Sequence, residues 1–306
     1  MAKPVAALDC GSNSTRLLIA NSDEALRREM RITRLSQGVD SSGTLTSEAL
    51  QRSYDVLSEY RSYMDALEVG RGLLVATSAV RDAANGQEFL SRAREITGVD
   101  ARILSGDEEA TFSYNGATAD LAPDSRPTLI VDIGGGSTEL AMVTDRTMHS
   151  YSMQLGCVRV TERALGSGIV TPESDARARD MISAELEKAW SAEPAFREVA
   201  GNVRLVGLAG TVATLAQLDA GLSTYDRDAV HHRVITRSVV ERWRDTLARE
   251  TPQARLARPG MVAGREDVLT AGLYVLDAVL ERFGATELLS SENDILDGIA
   301  QSLLSA

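Results

Sequence analysis

One short pattern occurs twice in this chain. Asp9-Cys10-Gly11-Ser12-Asn13-Ser14-Thr15-Arg16-Leu17 and Asp132-Ile133-Gly134-Gly135-Gly136-Ser137-Thr138-Glu139-Leu140 both read D-x-G-x-x-S-T-x-L. Each copy follows an apolar run (Val5 to Leu8; Leu129 to Val131) and precedes another (Leu17 to Ala20; Leu140 to Val143). That order predicts a strand, a tight Gly turn and a second strand, with an Asp leaving the first strand. A lone Gly-rich hairpin says little, because short motifs match by chance; a repeat that keeps its polar residues in register says much more. Glycines let backbone N–H groups approach a phosphate closely, and Ser and Thr hydroxyls add donors. The repeat therefore predicts two related domains with a phosphate gripped between their turns. The copies differ at Arg16 and Glu139, so the second turn carries the extra carboxylate.

A chain of 306 residues with 43% hydrophobic content has enough apolar material for two packed domains. No apolar run reaches the length of a membrane span, and Asp9 arrives before a signal-peptide core could form. Cys10 and Cys157 lack metal-ligand spacing and read as free thiols of a reducing compartment. Together these features predict a soluble, cytoplasmic protein. The net charge of −12 argues against a nucleic-acid surface, which needs a basic patch. It leaves room for an anionic substrate held by a local nest of N–H groups, a few arginines and a metal ion.

Beyond the first hairpin, residues 30–35 read as a third strand and 46–67 as a long amphipathic helix. Residues 72–76 form an apolar strand that ends in the polar loop Thr77 to Asp82. A helix over 85–97, a short strand over 102–104 and a helix opened by Ser105 follow. Ser105 with Glu108 has the form of a capping box. The Pro-rich stretch Ala122 to Pro127 marks the domain boundary, giving domains 1–122 and 123–292, with a closing helix at about 293–306 placed to pack back on the first. The second half repeats the order: a third strand near 149–153, helices over 158–165 and 173–190, a strand over 203–208, and a third Gly turn, Ala209-Gly210-Thr211, opening a helix. A helix over 268–283, a strand over 287–290 and a helix over 294–304 end the chain. Strands alternating with helices give an α/β fold. A three-strand start followed by αβαβα, twice over, is the arrangement of two actin-like (ribonuclease H-like) ATPase-fold domains.

Three acids stand beside the turns. Asp9 and Asp132 leave their strands at them, and alternation places Glu139 near the same sheet end; such hard oxygen ligands suit Mg²⁺ or Mn²⁺. Glu108 and Glu109 sit side by side at a helix N-terminus, where acids are stabilised by the dipole and the cap. Adjacent helical residues point about 100° apart, so if Glu108 serves the cap Glu109 faces elsewhere and is open to general-base work. Arg81 follows a strand end, where α/β folds place ligand loops; a phosphate clamp and an ion pair with Asp82 are both open to it. His231-His232, in a stretch reading as a strand, is assigned a structural or surface role because no further His or Cys completes a metal set.

With these motifs assembled, the chain resembles the exopolyphosphatase/guanosine pentaphosphate phosphohydrolase (Ppx/GppA) family. The matching stretches are Asp9 to Ser14, Ala76 to Ala83, Leu104 to Ala110, Val131 to Leu140 and Leu208 to Thr211, with Gly156-Cys157-Val158 and Arg265 to Gly272 as further segments. The resemblance implies an actin-like fold with an interdomain cleft and Mg²⁺-dependent hydrolysis of a terminal phosphoanhydride. It assigns water activation to Glu109 and a clamp to Arg81. Metal binding falls to Asp132 and Glu139, with Asp9 beside them. Phosphate binding falls to Ser12, Asn13, Ser14, Gly134, Gly135, Gly136, Ser137, Gly210 and Thr211. The implied substrate is inorganic polyphosphate, with guanosine pentaphosphate (pppGpp) as the alternative, and a homodimer is in keeping with the family. Longer members carry a further helical C-terminal domain; this chain looks like a short form, which puts extended binding of long polyphosphate in doubt and points to short chains. The segment Ser291 to Gly298 also departs from the usual form, lacking a basic residue before its acid and Gly. An actin-like kinase or ATPase would need an adenosine pocket, for which Gly207 to Gly210 is a thin candidate. A non-enzymatic polyphosphate or alarmone sensor would have no need of Asp132, Glu139 and Glu109 together.

Overall fold

The computed structural model describes residues 3–305, which fall into two compact units: one runs up to Ala119 and resumes at Asp294, the other is Asp120–Asn293. The chain thus leaves the first unit shortly before the Pro-rich stretch.

In the first unit, β1 (Val5–Cys10), β2 (Ser14–Ala20) and β3 (Ala25–Ile32) form an antiparallel meander. β4 (Arg71–Ala76) and β5 (Asp100–Ile103) add in parallel to give the order β3-β2-β1-β4-β5. Every residue of β1 is buried, as expected of an apolar central strand covered on both faces. The Ser47–Ala66 and Gly86–Thr97 helices cover one face, around Leu8, Leu57 and Phe89. Ile295–Ser305 covers the other, against Val5, Leu18 and Val75. The third strand lies earlier than the expected residues 30–35. Asn21 accepts the Asp23 and Glu24 amides and closes a tight turn, so pairing resumes at Ala25. β3 is an edge strand bearing Arg27, Arg28, Glu29 and Arg31, and such a strand shows little apolar alternation.

The second unit repeats the plan. β6 (Thr128–Ile133), β7 (Thr138–Thr144) and β8 (Thr147–Met153) form the meander. β9 (Arg204–Leu208) and β11 (Glu287–Ser290) add in parallel, and β10 (Val234–Thr236) pairs antiparallel at the edge, giving β10-β11-β9-β6-β7-β8. Two sheets of matching order with packed helices are the actin-like α/β arrangement. Three local expectations are corrected. Residues 158–165 are not one regular helix but a turn of α-helix, Cys157–Val160, continued by a wider π turn, Thr161–Leu165. Arg81 closes a single helical turn, Ser78–Arg81, rather than lying in a loop. His231 and His232 precede β10 instead of lying in a strand, and His232 has a left-handed φ of 56°.

Candidate active site

Register places the chemistry. In the first unit Cys10, Ala76 and Ile103 are neighbours across β1, β4 and β5. The first Gly turn, the Ser78–Arg81 turn and the Gly106–Thr118 helix all start at this carboxyl end of the parallel strands, where α/β sheets bind ligands. Gly11 closes the hairpin by donating to the Ser14 carbonyl at 3.0 Å. The Ser12 carbonyl accepts the Ser36 amide, and the Asn13 carbonyl accepts those of Thr33 and Arg34. Ser12 Oγ lies 3.0 Å from Ser78 Oγ, tying the turn to the Arg81 segment. Asn13 Nδ2 and Asp9 Oδ1 are buried with no hydrogen-bond partner among the described residues.

Asp9 Oδ2 accepts from Arg16 Nε at 3.0 Å and Nη2 at 2.7 Å, and Arg16 also pairs with Asp294. Burial pushes the Asp9 carboxyl above its usual range, against the pull of Arg16.

Glu108 and Glu109 take different roles. Ser105 Oγ accepts the Glu108 amide at 3.2 Å, Glu108 Oε2 accepts the Ser105 amide at 2.9 Å, and Arg102 donates to Oε1 at 2.8 Å. The Ser105 amide holds the Glu108 carboxyl below its ordinary range. Glu109, one position on, is 8% exposed. Its Oε2 lies 3.5 Å from Arg81 Nη1, which also donates to the Leu104 carbonyl at 2.7 Å.

The second turn is built in the same way. Gly134 donates to the Ser137 carbonyl at 3.0 Å. The Gly134 carbonyl accepts the Cys157 amide at 2.9 Å, and that of Gly135 accepts those of Val158 at 2.9 Å and Arg159 at 3.1 Å. The Gly136 carbonyl accepts Arg159 Nε at 2.7 Å. Gly156 allows this approach: a Cβ there would stand 2.2 Å from the Gly135 oxygen. Asp132 and Glu139 are cross-strand partners, so both carboxylates stand on one face of the sheet, and both are buried. Ser152 Oγ donates to Glu139 Oε1 at 2.7 Å. β9 ends opposite Asp132, which sets Ala209-Gly210-Thr211 beside this turn. Ala209 takes a left-handed φ of 63°, and the Arg265 guanidinium lies over Gly210, where a Cβ would come within 1.9 Å of it. Burial pushes the Cys157 thiol up, while Arg265 pulls it down.

Arg159 and Arg265, both nearly buried, were not singled out from sequence. The available signal is an Arg within an apolar stretch directly after a Gly, as in Gly156-Cys157-Val158-Arg159-Val160. Among the described residues, one other cluster could offer cation ligands. Asp120, His231 and His232 bring a ligand atom each within 4.8 Å of one another, the third group being an acid that is remote in sequence. The Glu292 amide donates to His231 Nδ1 at 3.1 Å, so the neutral ring carries its proton on Nε2 and points it at Asp120 Oδ2, 2.9 Å away. That nitrogen has no lone pair to give a cation.

Two actin-like units, each with an acid-bearing Gly turn at the carboxyl end of its sheet, place the chain in the actin-like α/β class, and its relatives make it a phosphoanhydride hydrolase. Residues 18–306 match the Ppx/GppA phosphatase family, and the chain belongs to it. Exopolyphosphatase 2 of Mycobacterium tuberculosis is 38% identical over 98% of both chains. An exopolyphosphatase-like protein of known structure superposes with a TM-score of 0.93 at 32% identity, covering 99% of each chain. The Aquifex aeolicus Ppx/GppA family member does so at 0.81 and 29% identity, covering 99% of this chain and 98% of its own.

Proposed function

We propose that the chain removes the terminal phosphate of inorganic polyphosphate, favouring short chains and needing Mg²⁺. The observation that carries this reading is the division of labour at the Gly106–Thr118 helix. Glu108 is spent on the cap, and Glu109 is buried beside Arg81. A buried carboxylate next to a guanidinium is suited to take a proton from water while the guanidinium holds a phosphoryl oxygen.

Water oxygen bonds to the terminal phosphorus, the bridging P–O bond breaks, and Glu109 takes the proton. The products are orthophosphate and a chain shortened by one phosphate. The amides and hydroxyls of Ser12, Asn13 and Ser14 bind phosphate in the first unit. Those of Gly135, Gly136 and Ser137, with Gly210 and Thr211, bind it in the second, where the Gly134 amide closes the hairpin. Preorganised donors of this kind carry most of the acceleration in phosphoryl transfer.

Asp132 and Glu139 are the residues that would hold Mg²⁺. Two buried carboxylates on one face repel each other, and hard oxygens in that arrangement fit a divalent cation. In the first unit Asp9 keeps Oδ1 as a hard oxygen of its own, since Oδ2 serves Arg16. Bound at Asp132 and Glu139, the ion would offset charge on the phosphoryl oxygens.

The test is phosphate release with Mg²⁺ from short-chain polyphosphate, long-chain polyphosphate, pppGpp and ATP at matched concentrations. Release chiefly from short polyphosphate is expected. Preference for pppGpp moves the protein to alarmone turnover, and release from ATP alone overturns the reading.

A further inference from the structure

We infer that Arg159 is the clamp that keeps the second Gly turn in its phosphate-accepting form. This rests on the reading above, in which that turn holds a phosphoryl group.

In a planar trans peptide the carbonyl of one residue and the amide of the next point in opposite directions. The carbonyls of Gly134, Gly135 and Gly136 are all drawn toward Cys157, Val158 and Arg159. The amides of Gly135, Gly136 and Ser137 are therefore turned the other way, and none of them donates to a protein acceptor among the described residues. Successive amides aimed in one direction make an anion nest. Three glycines in a row have no side-chain preference that would select this form over others, so the form has to be imposed from outside.

Two of the three carbonyls are held by backbone amides, which every substitution except proline leaves in place. The third, Gly136, is held by the Arg159 side chain. The equivalent position in the first turn is Asn13, whose carbonyl is held by the backbone amides of Thr33 and Arg34. The second unit thus uses a side chain where the first uses main chain. A guanidinium Nε–H makes a strong, directional donor, and burial at 8% exposure limits competition from water. Arg159 acts on phosphate through the loop, as a positioning residue.

The test compares Arg159→Met, Arg159→Lys and Ser137→Ala with the parent chain. KM and kcat are measured on short-chain polyphosphate with Mg²⁺, and amide hydrogen exchange on the protein without substrate. Arg159→Met should raise KM about tenfold, the scale of one charge-assisted hydrogen bond, with a smaller change in kcat. Exchange at Cys157, Val158 and Arg159 should speed while the β6, β7 and β9 amides stay protected. Arg159→Lys, which keeps a cationic donor, should recover part of the KM and serves if the Met variant does not fold. An unchanged KM with unchanged exchange overturns the clamp. Faster exchange across the whole second unit also overturns it, since Arg159 would then be supporting the fold at large. If Ser137→Ala leaves KM untouched and added short-chain polyphosphate does not slow exchange at the Gly135, Gly136 and Ser137 amides of the parent, the turn does not hold phosphate; local exchange in Arg159→Met without substrate still reports the clamp, so the two failures are told apart.

Discussion

The two Gly turns share hairpin closure, tied-back carbonyls and strand register, yet they treat charge in opposite ways. Across β1 and β2 the partner of Asp9 is Arg16; across β6 and β7 the partner of Asp132 is Glu139. In the first unit a guanidinium sits on one carboxylate oxygen and reaches on to Asp294, which burial alone would push up but Arg16 and Arg28 hold below its ordinary range. In the second unit two buried carboxylates share a face. The same scaffold therefore sets a carboxylate across from a guanidinium in one half and across from a second carboxylate in the other. A duplicated frame lets one copy specialise while the other keeps its stability.

The strongest way to break this comparison is at the register position itself. Glu139→Gln should lower phosphate release by roughly 10³-fold, because a hard-cation site contributes several kcal/mol to stabilising phosphoryl charge. Without metal, the same variant should be more stable than the parent by up to about 1 kcal/mol, since a like-charge cross-strand pair is removed. Thermal unfolding in EDTA and in Mg²⁺ checks both points: the parent should gain stability from Mg²⁺ and the variant much less. A variant that keeps full activity would mean that the second turn is not the metal-bearing one.

At the matching position in the first unit the sign reverses. Arg16→Met strands Asp9 in a buried setting, leaves Asp294 to Arg28 alone and should destabilise by about 3 kcal/mol, as when one partner of a buried pair is removed. Denaturant unfolding reads this directly. Equal effects at Arg16 and Glu139 would show that the turns are electrostatically equivalent after all.

Third in size is Glu109→Gln. Loss of a positioned base should lower kcat by about 10²-fold. Near-full activity in Glu109→Gln, alongside loss in Asp132→Asn, would take the base assignment away from Glu109.

The repeat makes the two hairpins legible, because Asp, Gly, Ser and Thr must occupy fixed places for such a turn to close. The capping box is equally local: Ser105 and Glu108 meet within one helical turn. What sequence does not display is the wiring between distant segments. Arg159 reads as one polar residue in an apolar stretch, and only the fold brings its Nε to the Gly136 carbonyl. Asp120 carries no sign that His231 will donate to it. β3 escapes because an edge strand is held by its ladder, leaving its side chains free to be charged. Positions near the turns are thus visible from residue types, whereas the donors that orient them come from long-range packing.

The smallest effect separates Glu108 from its neighbour. Its carboxyl is held below the ordinary range chiefly by the Ser105 amide, so the folded state binds a proton less readily than the unfolded chain. A depressed folded-state value adds stability above the unfolded value of 4.5 and loses it as the pH falls through the folded value. Glu108→Gln should therefore flatten the fall in stability on acidification below pH 4.5, at a cost near neutral pH of about 1 kcal/mol or less, typical of a helix cap. Urea titrations across that pH range measure it. Turnover near neutral pH should stay at the parent level, because Glu108 points to Ser105 and Arg102 while Glu109 lies against Arg81. A matching drop in kcat for Glu108→Gln and Glu109→Gln would mean that the cap and the base are not separable, and that the helix terminus acts as one electrostatic unit.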